Sequence, residues 1–250
     1  IGVRLVGSEM CIRDRSATGL GDTVCGIYAA CGLAEAGHQV EYQARNVAWL
    51  SGVSHPGVTI LSEANHQFDA NANYRDQLRV AFHNQVESRP GWYIRNISKA
   101  YSIPECKPAR PKVVKPDPVI EEKYVVLSPF TTHDSRDWGF NHYRKLAIAL
   151  KALGYRVIPI GTQKQRERMD MAFYGLDLEK ITDKSPEWIT ALVANATVVV
   201  GNDSGIVHLG GLYGAKTLCI LAHFDPAYSF MCGDSIEWIT PDMQCVRCHT

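Results

Sequence analysis

The sequence predicts an α/β chain in two parts, and three features carry that prediction. Helical and strand periods alternate along both halves, a stretch with five prolines separates them, and Thr197 to Gly214, TVVVGNDSGIVHLGGLYG, reads as a buried strand running through a polar turn into a helix.

Ile1 to Arg15, IGVRLVGSEMCIRDR, is set aside from fold reasoning. Leu5 to Asp14 back-translates as CTC GTG GGC TCG GAG ATG TGT ATA AGA GAC, which resembles a transposase-based library adapter, so native sequence is expected from Ser16. On that expectation Val3 to Gly7 is not counted as a first strand.

The first series then begins. Asp22 to Ala36 reads as a helix closed by Gly37, Gln39 to Ala44 as a strand, Asn46 to Leu50 as a short helix and Val58 to Leu61 as a further strand. Tyr74 to Val86 and Trp92 to Tyr101 have helical spacing. Alternation of this kind predicts a parallel sheet with helices on its faces. Ile103 to Pro118, IPECKPARPKVVKPDP, has no helical period and marks a linker. The expected organisation is an N-terminal domain over residues 16–102, a linker over 103–120 and a C-terminal domain over 121–250.

The second series is better specified. Strands are expected at Tyr124 to Leu127, Arg156 to Ile160, Thr197 to Val200 and Thr217 to Leu221, and helices at Asn141 to Leu153, Lys164 to Phe173, Pro186 to Asn195 and Ile206 to Tyr213. Two such domains are expected to face a cleft at the carboxyl ends of their strands, where open α/β sheets bind ligands.

Composition narrows the function classes. Lys plus Arg and Asp plus Glu number 26 each, a balance that argues against a nucleic-acid binder. No apolar run approaches the length of a membrane span. Of eight cysteines, Cys25, Cys31 and Cys219 lie in apolar segments and read as reduced, buried thiols.

Four segments carry candidate chemistry. Thr18 to Thr23, TGLGDT, is a glycine turn opening a helix; Asp22 there either caps the helix or takes a proton from an attacking hydroxyl. Ser128 to Trp138, SPFTTHDSRDW, follows a strand; Arg136 suits two phosphate oxygens, or else lies solvated beside Asp134 and Asp137, and Ser128, Thr131 and Thr132 add hydroxyls. Gly161 to Glu167, GTQKQRE, follows the next strand, with Gly161 and Gln163 beside a prospective nucleoside and Lys164 and Arg166 either on the solvated face of a helix or in direct contact with that nucleoside. After Val200 and Gly201, Asn202, Asp203 and Ser204 are turn and N-cap residues, Gly205 lets the backbone come close to a ligand, and His208 lies on the first turn of the helix. This is either an ordinary strand-to-helix connection with a capping Asp or a place where free N–H groups stabilise a phosphate. Cys245-Val-Arg-Cys248-His249 formally matches c-type haem attachment, and Cys232 with these residues is a conceivable zinc set; packing cysteines are the favoured assignment.

In that order, GLGDT at Gly19 to Thr23, SPFTTHDSRDWGFNHYRKLA at Ser128 to Ala147 and GNDSGIVHLGGLYGAKTLCI at Gly201 to Ile220, the chain resembles the family 9 glycosyltransferases, the bacterial ADP-heptose:lipopolysaccharide heptosyltransferases. The resemblance implies a GT-B fold of two Rossmann-like domains with parallel sheets facing a cleft, and inverting, metal-independent transfer without a cofactor. It further implies a nucleotide-diphosphate-sugar donor resembling ADP-heptose and a glycan or lipopolysaccharide-core acceptor, with no nucleic acid. The implied location is cytoplasmic, with peripheral contact with the inner membrane left open. Asp22 would be the general base, Arg136 the phosphate contact, and Asp203, Ser204 and Gly205 would hold the donor, supported by His208. Gln163 stands where the family places an acidic nucleoside contact, which bears on the ADP preference. The resemblance also implies a central first strand upstream of Gly19 and closing helices beyond Thr250. Loss of that strand is expected to leave backbone groups unpaired and the N-terminal domain incomplete, with weak donor binding and poor catalysis. A nucleotide-sugar epimerase or hydrolase of the same shape, and a non-catalytic nucleotide- or glycan-binding relative, are the alternatives.

Overall fold

A computed structural model describes residues 19–44, 47–62, 88–132, 136–221 and 235–240, and the backbone of residues 2–6. The described residues fall into two compact units, one ending at Val114 and the other beginning at Lys115.

In the first unit, β1 (Gly2–Val6), β2 (Gln39–Ala44) and β4 (Val58–Ser62) form a sheet in the order β1-β2-β4. β2 and β4 run parallel, but β1 runs antiparallel to β2, so this sheet is mixed rather than all parallel. The edge of β2 expected to be open is therefore paired: Gly2 lies opposite Gln43 and Val6 opposite Gln39. Ladder bonds use backbone groups alone, and an exposed strand edge accepts any extended segment that reaches it.

Helix α1 (Leu20–Glu35) is the core of this unit. Residues Thr23 through Leu33 are all buried, so the helix is enclosed on every side rather than amphipathic. It ends where the sequence places the stop: Gly37 adopts φ 95°, and its N–H donates to the Ala34 carbonyl at 3.0 Å. Helix α2 (Arg89–Tyr101) starts at Ser88, whose hydroxyl accepts from the Gly91 N–H at 3.3 Å, with Pro90 in the first turn. It begins three residues before the helical spacing indicates. Tyr74 to Val86 lies outside the described residues.

The proline-rich stretch is bound to this unit as far as Val114. The Ala109 N–H donates to the Tyr28 carbonyl at 3.0 Å, and β5 (Lys112–Val113) pairs antiparallel with β3 (Val53–Ser54). The chain crosses α1 so closely that a Cβ on Gly32 would stand 2.2 Å from the Lys107 carbonyl oxygen. Prolines hold the segment extended, which suits a strand lying across a helix but gives no periodic signal.

The second unit is a five-stranded parallel sheet in the order β7-β6-β8-β9-β10, formed by β6 (Tyr124–Ser128), β7 (Arg156–Pro159), β8 (Val198–Asn202), β9 (Thr217–Ile220) and β10 (Ile236–Ile239). The helices are α3 (Phe140–Ala152), α4 (Arg166–Ala172), α5 (Pro186–Ala194) and α6 (Gly205–Leu212). The helix expected from Lys164 begins instead as a 3-10 turn over Gln163–Gln165, closed by a capping box in which the Gln165 side chain accepts from the Thr162 N–H at 2.8 Å. Strand β6 is buried at all five positions, as an interior parallel strand requires.

The core of this unit gathers Val125, Leu127, Tyr143, Ala147, Met169, Phe173 and Val200 between the sheet and its helices. α6 packs close on β9: a Cβ on Gly210 would meet the Thr217 hydroxyl at 2.5 Å. Chain order reverses between β6, from which the sheet grows to β7 on one side and to β8 on the other. At such a switch point the loops leaving the strands diverge and open a crevice at their carboxyl ends. Ser128 ends β6 and pairs in register with Gly201, one residue before the end of β8.

Candidate functional site

In the second unit, the end of β8 is fixed by a residue the sequence marked only as part of a turn. Asn202 is fully buried and uses its whole side chain: Nδ2 donates to the Pro129 carbonyl at 2.8 Å and to Asp137 Oδ1 at 3.4 Å, while Oδ1 accepts from the Trp138 N–H at 3.2 Å and the Tyr143 hydroxyl at 3.0 Å. The loop after β6 and helix α3 are thereby tied to β8. An asparagine separated by one glycine from a β-branched run was the available signal.

On this support the candidate residues converge. Arg136 Nη2 donates to Thr132 Oγ1 at 2.9 Å, and its Nη1 lies 3.6 Å from Asp203 Oδ2 and 3.5 Å from the Asp203 carbonyl oxygen. Its side chain is 22 % exposed, so it is not the solvated arginine of the alternative; Asp134 lies outside the described residues. Asp203 does not cap α6. Its other oxygen, Oδ1, lies 3.6 Å from His208 Nε2, which joins the turn to the helix it precedes. Burial of Asp203 raises its carboxyl, but the hydrogen bond and charge of His208 and the charge of Arg136 outweigh it, and the group is held below its ordinary range. Cys219, on neighbouring β9, is pushed up by burial and by the Asp203 charge, so its thiol is neutral and inert.

Ser204 is the residue at the N-cap of α6, yet its hydroxyl makes no cap bond and lies 3.5 Å from the Ser128 hydroxyl instead. Val207 and His208 donate their N–H groups to the Ser204 carbonyl at 3.1 and 3.4 Å, so the Gly205 and Ile206 N–H groups stand at the uncapped end, where unpaired donors and the helix dipole stabilise an anion. Gly201 keeps the gap narrow, since a Cβ there would meet Ser128 Cβ at 3.0 Å. Thr131 stands half-buried at the start of the loop. Gly161 packs under it, where a Cβ would come 2.9 Å from the Phe130 ring. Gln163 is one strand further out: its Oε1 accepts from Thr182 Oγ1 at 3.3 Å, and it makes no contact with the Arg136 cluster. Lys164 is exposed, and Arg166 pairs with Asp170 on the surface at 3.1 Å.

In the first unit, Asp22 lies in the first turn of α1 but does not cap it; Gly19 holds the N-cap position without a side-chain bond. Its Oδ1 accepts from Arg89 Nη1 at 3.3 Å and from the Tyr93 hydroxyl at 3.1 Å. Both partners lie on α2 and were not foreseen, because no local pattern relates residues separated by so much sequence. Burial and then the Asp22 charge push the Tyr93 phenol well above its ordinary value, so it serves as a donor. Tyr42, also buried, donates to the Thr23 carbonyl at 2.8 Å and anchors α1 to β2.

Among the described residues, no group of three or more His, Cys, Asp and Glu side chains is placed to hold a metal ion. Cys232, Cys245, Cys248 and His249 lie outside the described residues. Cys25, Cys31 and Cys219 are buried thiols outside any disulfide, and burial, helped by Glu35, pushes the Cys31 thiol up to about 12.

Residues 65–249 match the sequence model of glycosyltransferase family 9 (heptosyltransferase). Lipopolysaccharide heptosyltransferase 1 of Escherichia coli K12 is 28% identical over 106 residues, 42% of this chain and 33% of the relative. The protein of that name from Pseudomonas aeruginosa is 26% identical over 127 residues, 50% of this chain and 36% of the relative. The chain thus spans about a third of the length of the curated relatives it matches. Among solved structures, the family 9 glycosyl transferase of Veillonella parvula has a TM-score of 0.67 at 11% identity, covering 90% of this chain and 84% of its own. E. coli heptosyltransferase WaaC with ADP has a TM-score of 0.59 at 15% identity, covering 90% and 91%. These two similarities describe a shared fold.

Proposed function

Because this chain belongs to glycosyltransferase family 9 (heptosyltransferase), we propose that it moves a sugar, heptose first among candidates, from a nucleotide diphosphate to a glycan or lipopolysaccharide-core acceptor. Transfer proceeds with inversion and needs neither a metal nor a cofactor. The observation that carries this reading is the grouping of Ser128, Thr132, Arg136, Asp203, Ser204 and His208 at the carboxyl ends of β6 and β8.

Arg136 spends part of its donor fork on Thr132 and Asp203 and keeps the rest for phosphate oxygens. The uncapped N-terminus of α6 supplies further N–H groups. Asp203, ionised and held by His208, suits the hydroxyls of the donor sugar, with Gly205 keeping the backbone close. Gly161 and Gln163 border the nucleoside.

The step is a single displacement. Asp22 accepts the proton of the acceptor hydroxyl as its oxygen attacks the anomeric carbon from the side opposite the diphosphate. The bond from that carbon to the diphosphate oxygen breaks, its electron pair leaves with the nucleotide, and the new charge meets Arg136 and the α6 N–H groups. Fixed donors take the part that a divalent cation plays elsewhere.

Location follows from the acceptor: a cytoplasmic protein meeting lipopolysaccharide core at the inner membrane by peripheral contact. Among the described residues no helix is long and apolar enough to cross a membrane. The deciding experiment incubates the protein with ADP-heptose, with and without deacylated lipopolysaccharide core, and follows ADP release and acceptor mass. ADP release that requires acceptor, with a matching mass gain, supports transfer; acceptor-independent release indicates a hydrolase instead.

A further inference from the structure

We propose that Arg89 and Tyr93 are positioning residues for Asp22, holding its Oδ1 so that Oδ2 is the oxygen presented to the acceptor hydroxyl. This rests on the reading of Asp22 as the base.

A carboxylate on a short side chain has two equivalent oxygens and turns freely about its last bond, so either oxygen meets a substrate in many orientations. Here the equivalence is broken. Arg89 Nη1 at 3.3 Å and the Tyr93 hydroxyl at 3.1 Å both donate to Oδ1. Among the described residues Oδ2 accepts no hydrogen bond. It faces Gly19, where a Cβ would stand 3.1 Å away. The absent side chain at Gly19 therefore keeps Oδ2 open to a small group.

The donors are themselves fixed. Tyr93 is buried, with its ring edge-on to Trp92 at 5.5 Å between centroids. Arg89 begins α2 immediately after the capped Ser88, with Pro90 limiting the backbone. Both donors ride on one helix packed against the helix that carries Asp22, so a single rigid contact sets the carboxylate plane. Orientation of this kind matters because a general base must lie within hydrogen-bond reach of the proton it removes, and about 1 Å of misplacement costs on the order of 100-fold.

A merely structural tie between α1 and α2 is the competing explanation, and the test separates the two. Steady-state transfer is measured for Tyr93→Phe, Arg89→Gln, Arg89→Lys and Gly19→Ala, with a crystal structure of Tyr93→Phe. The expected kcat falls about tenfold in Tyr93→Phe and further in Arg89→Gln, within the roughly 10²- to 10⁴-fold that a general base supplies. Donor KM and ADP affinity stay within about twofold, Arg89→Lys recovers part of the loss, and the Asp22 carboxylate turns in the Tyr93→Phe crystal. Gly19→Ala, which leaves both donors intact and crowds Oδ2, lowers kcat at an unchanged melting temperature.

Wild-type kcat in folded variants, a change confined to donor KM, or an unmoved carboxylate overturns the proposal. A wild-type chain that binds ADP yet transfers nothing overturns the proposed function instead, and the crystal structure still reads whether the pair orients the carboxylate.

Discussion

Arg136, on the loop after β6, and Asp203, at the end of β8, form an ion pair, with Nη1 3.6 Å from Oδ2. The pair joins the residue suited to phosphate with the residue suited to sugar hydroxyls, and His208 holds the far oxygen of the same carboxylate.

The first prediction follows from that carboxylate. Asp203 is ionised more easily in the folded protein than at its ordinary value of 3.8, so its contribution to stability is complete above that value. It is lost as pH falls below 3.8 through the lower folded value. Asp203→Asn should flatten the fall in urea midpoint as pH drops below about 4, relative to wild type. A parallel fall in the two proteins contradicts the pairing.

Asn202→Ala should be among the most damaging single changes in the second unit. It leaves the Tyr143 hydroxyl, the Trp138 N–H and the Pro129 carbonyl without the partner they now share. At about 1–3 kcal/mol for each buried group left unsatisfied, a loss near 3 kcal/mol is expected in urea unfolding. A cost below about 1 kcal/mol would show that the loop does not depend on this side chain.

Gly32→Ala pits two effects against each other. In a solvated helix the change gains about 1 kcal/mol. Here the new methyl would lie 2.2 Å from the Lys107 carbonyl oxygen, a backbone atom that cannot rotate away, and overpacking of this kind costs about 1–3 kcal/mol. The clash should win, lowering the melting temperature and loosening the segment around Ala109, as read by amide exchange.

The second unit was the more legible in sequence. Its β-branched strands, the helix that starts at Pro186 and the turn after Val200 are local signals, and the structure keeps each within a residue or two. Arg136, Asp203 and His208 were nameable because strand ends and helix starts are where unpaired backbone donors collect. What local pattern could not show was which side chains meet. Asn202 was visible as a turn residue but not as the centre of four hydrogen bonds, and Arg89 and Tyr93 are related to Asp22 only through the packing of α2 on α1. Strand β1 illustrates a different limit: backbone pairing is tolerant of sequence, so Gly2–Val6 fills an edge of β2 although its residues were set aside. Two-residue strands such as β3 and β5 are too short for any period to register.

Asp22→Asn keeps the size of the side chain and an Oδ1 that accepts from Arg89 and Tyr93, but its Nδ2 is a donor and cannot take up the proton. Turnover should fall by at least about 100-fold, while ADP affinity stays within about twofold. Transfer at the wild-type rate would remove Asp22 from the mechanism.

The most direct test is calorimetric titration of ADP into the wild-type protein and into Arg136→Ala. Charge-assisted hydrogen bonds to phosphate contribute about 1.5–3 kcal/mol, so the variant should bind ADP about 10- to 100-fold more weakly while remaining folded. Equal affinity in the two proteins, or no binding to the wild type, would contradict a nucleotide-diphosphate site at the ends of β6 and β8.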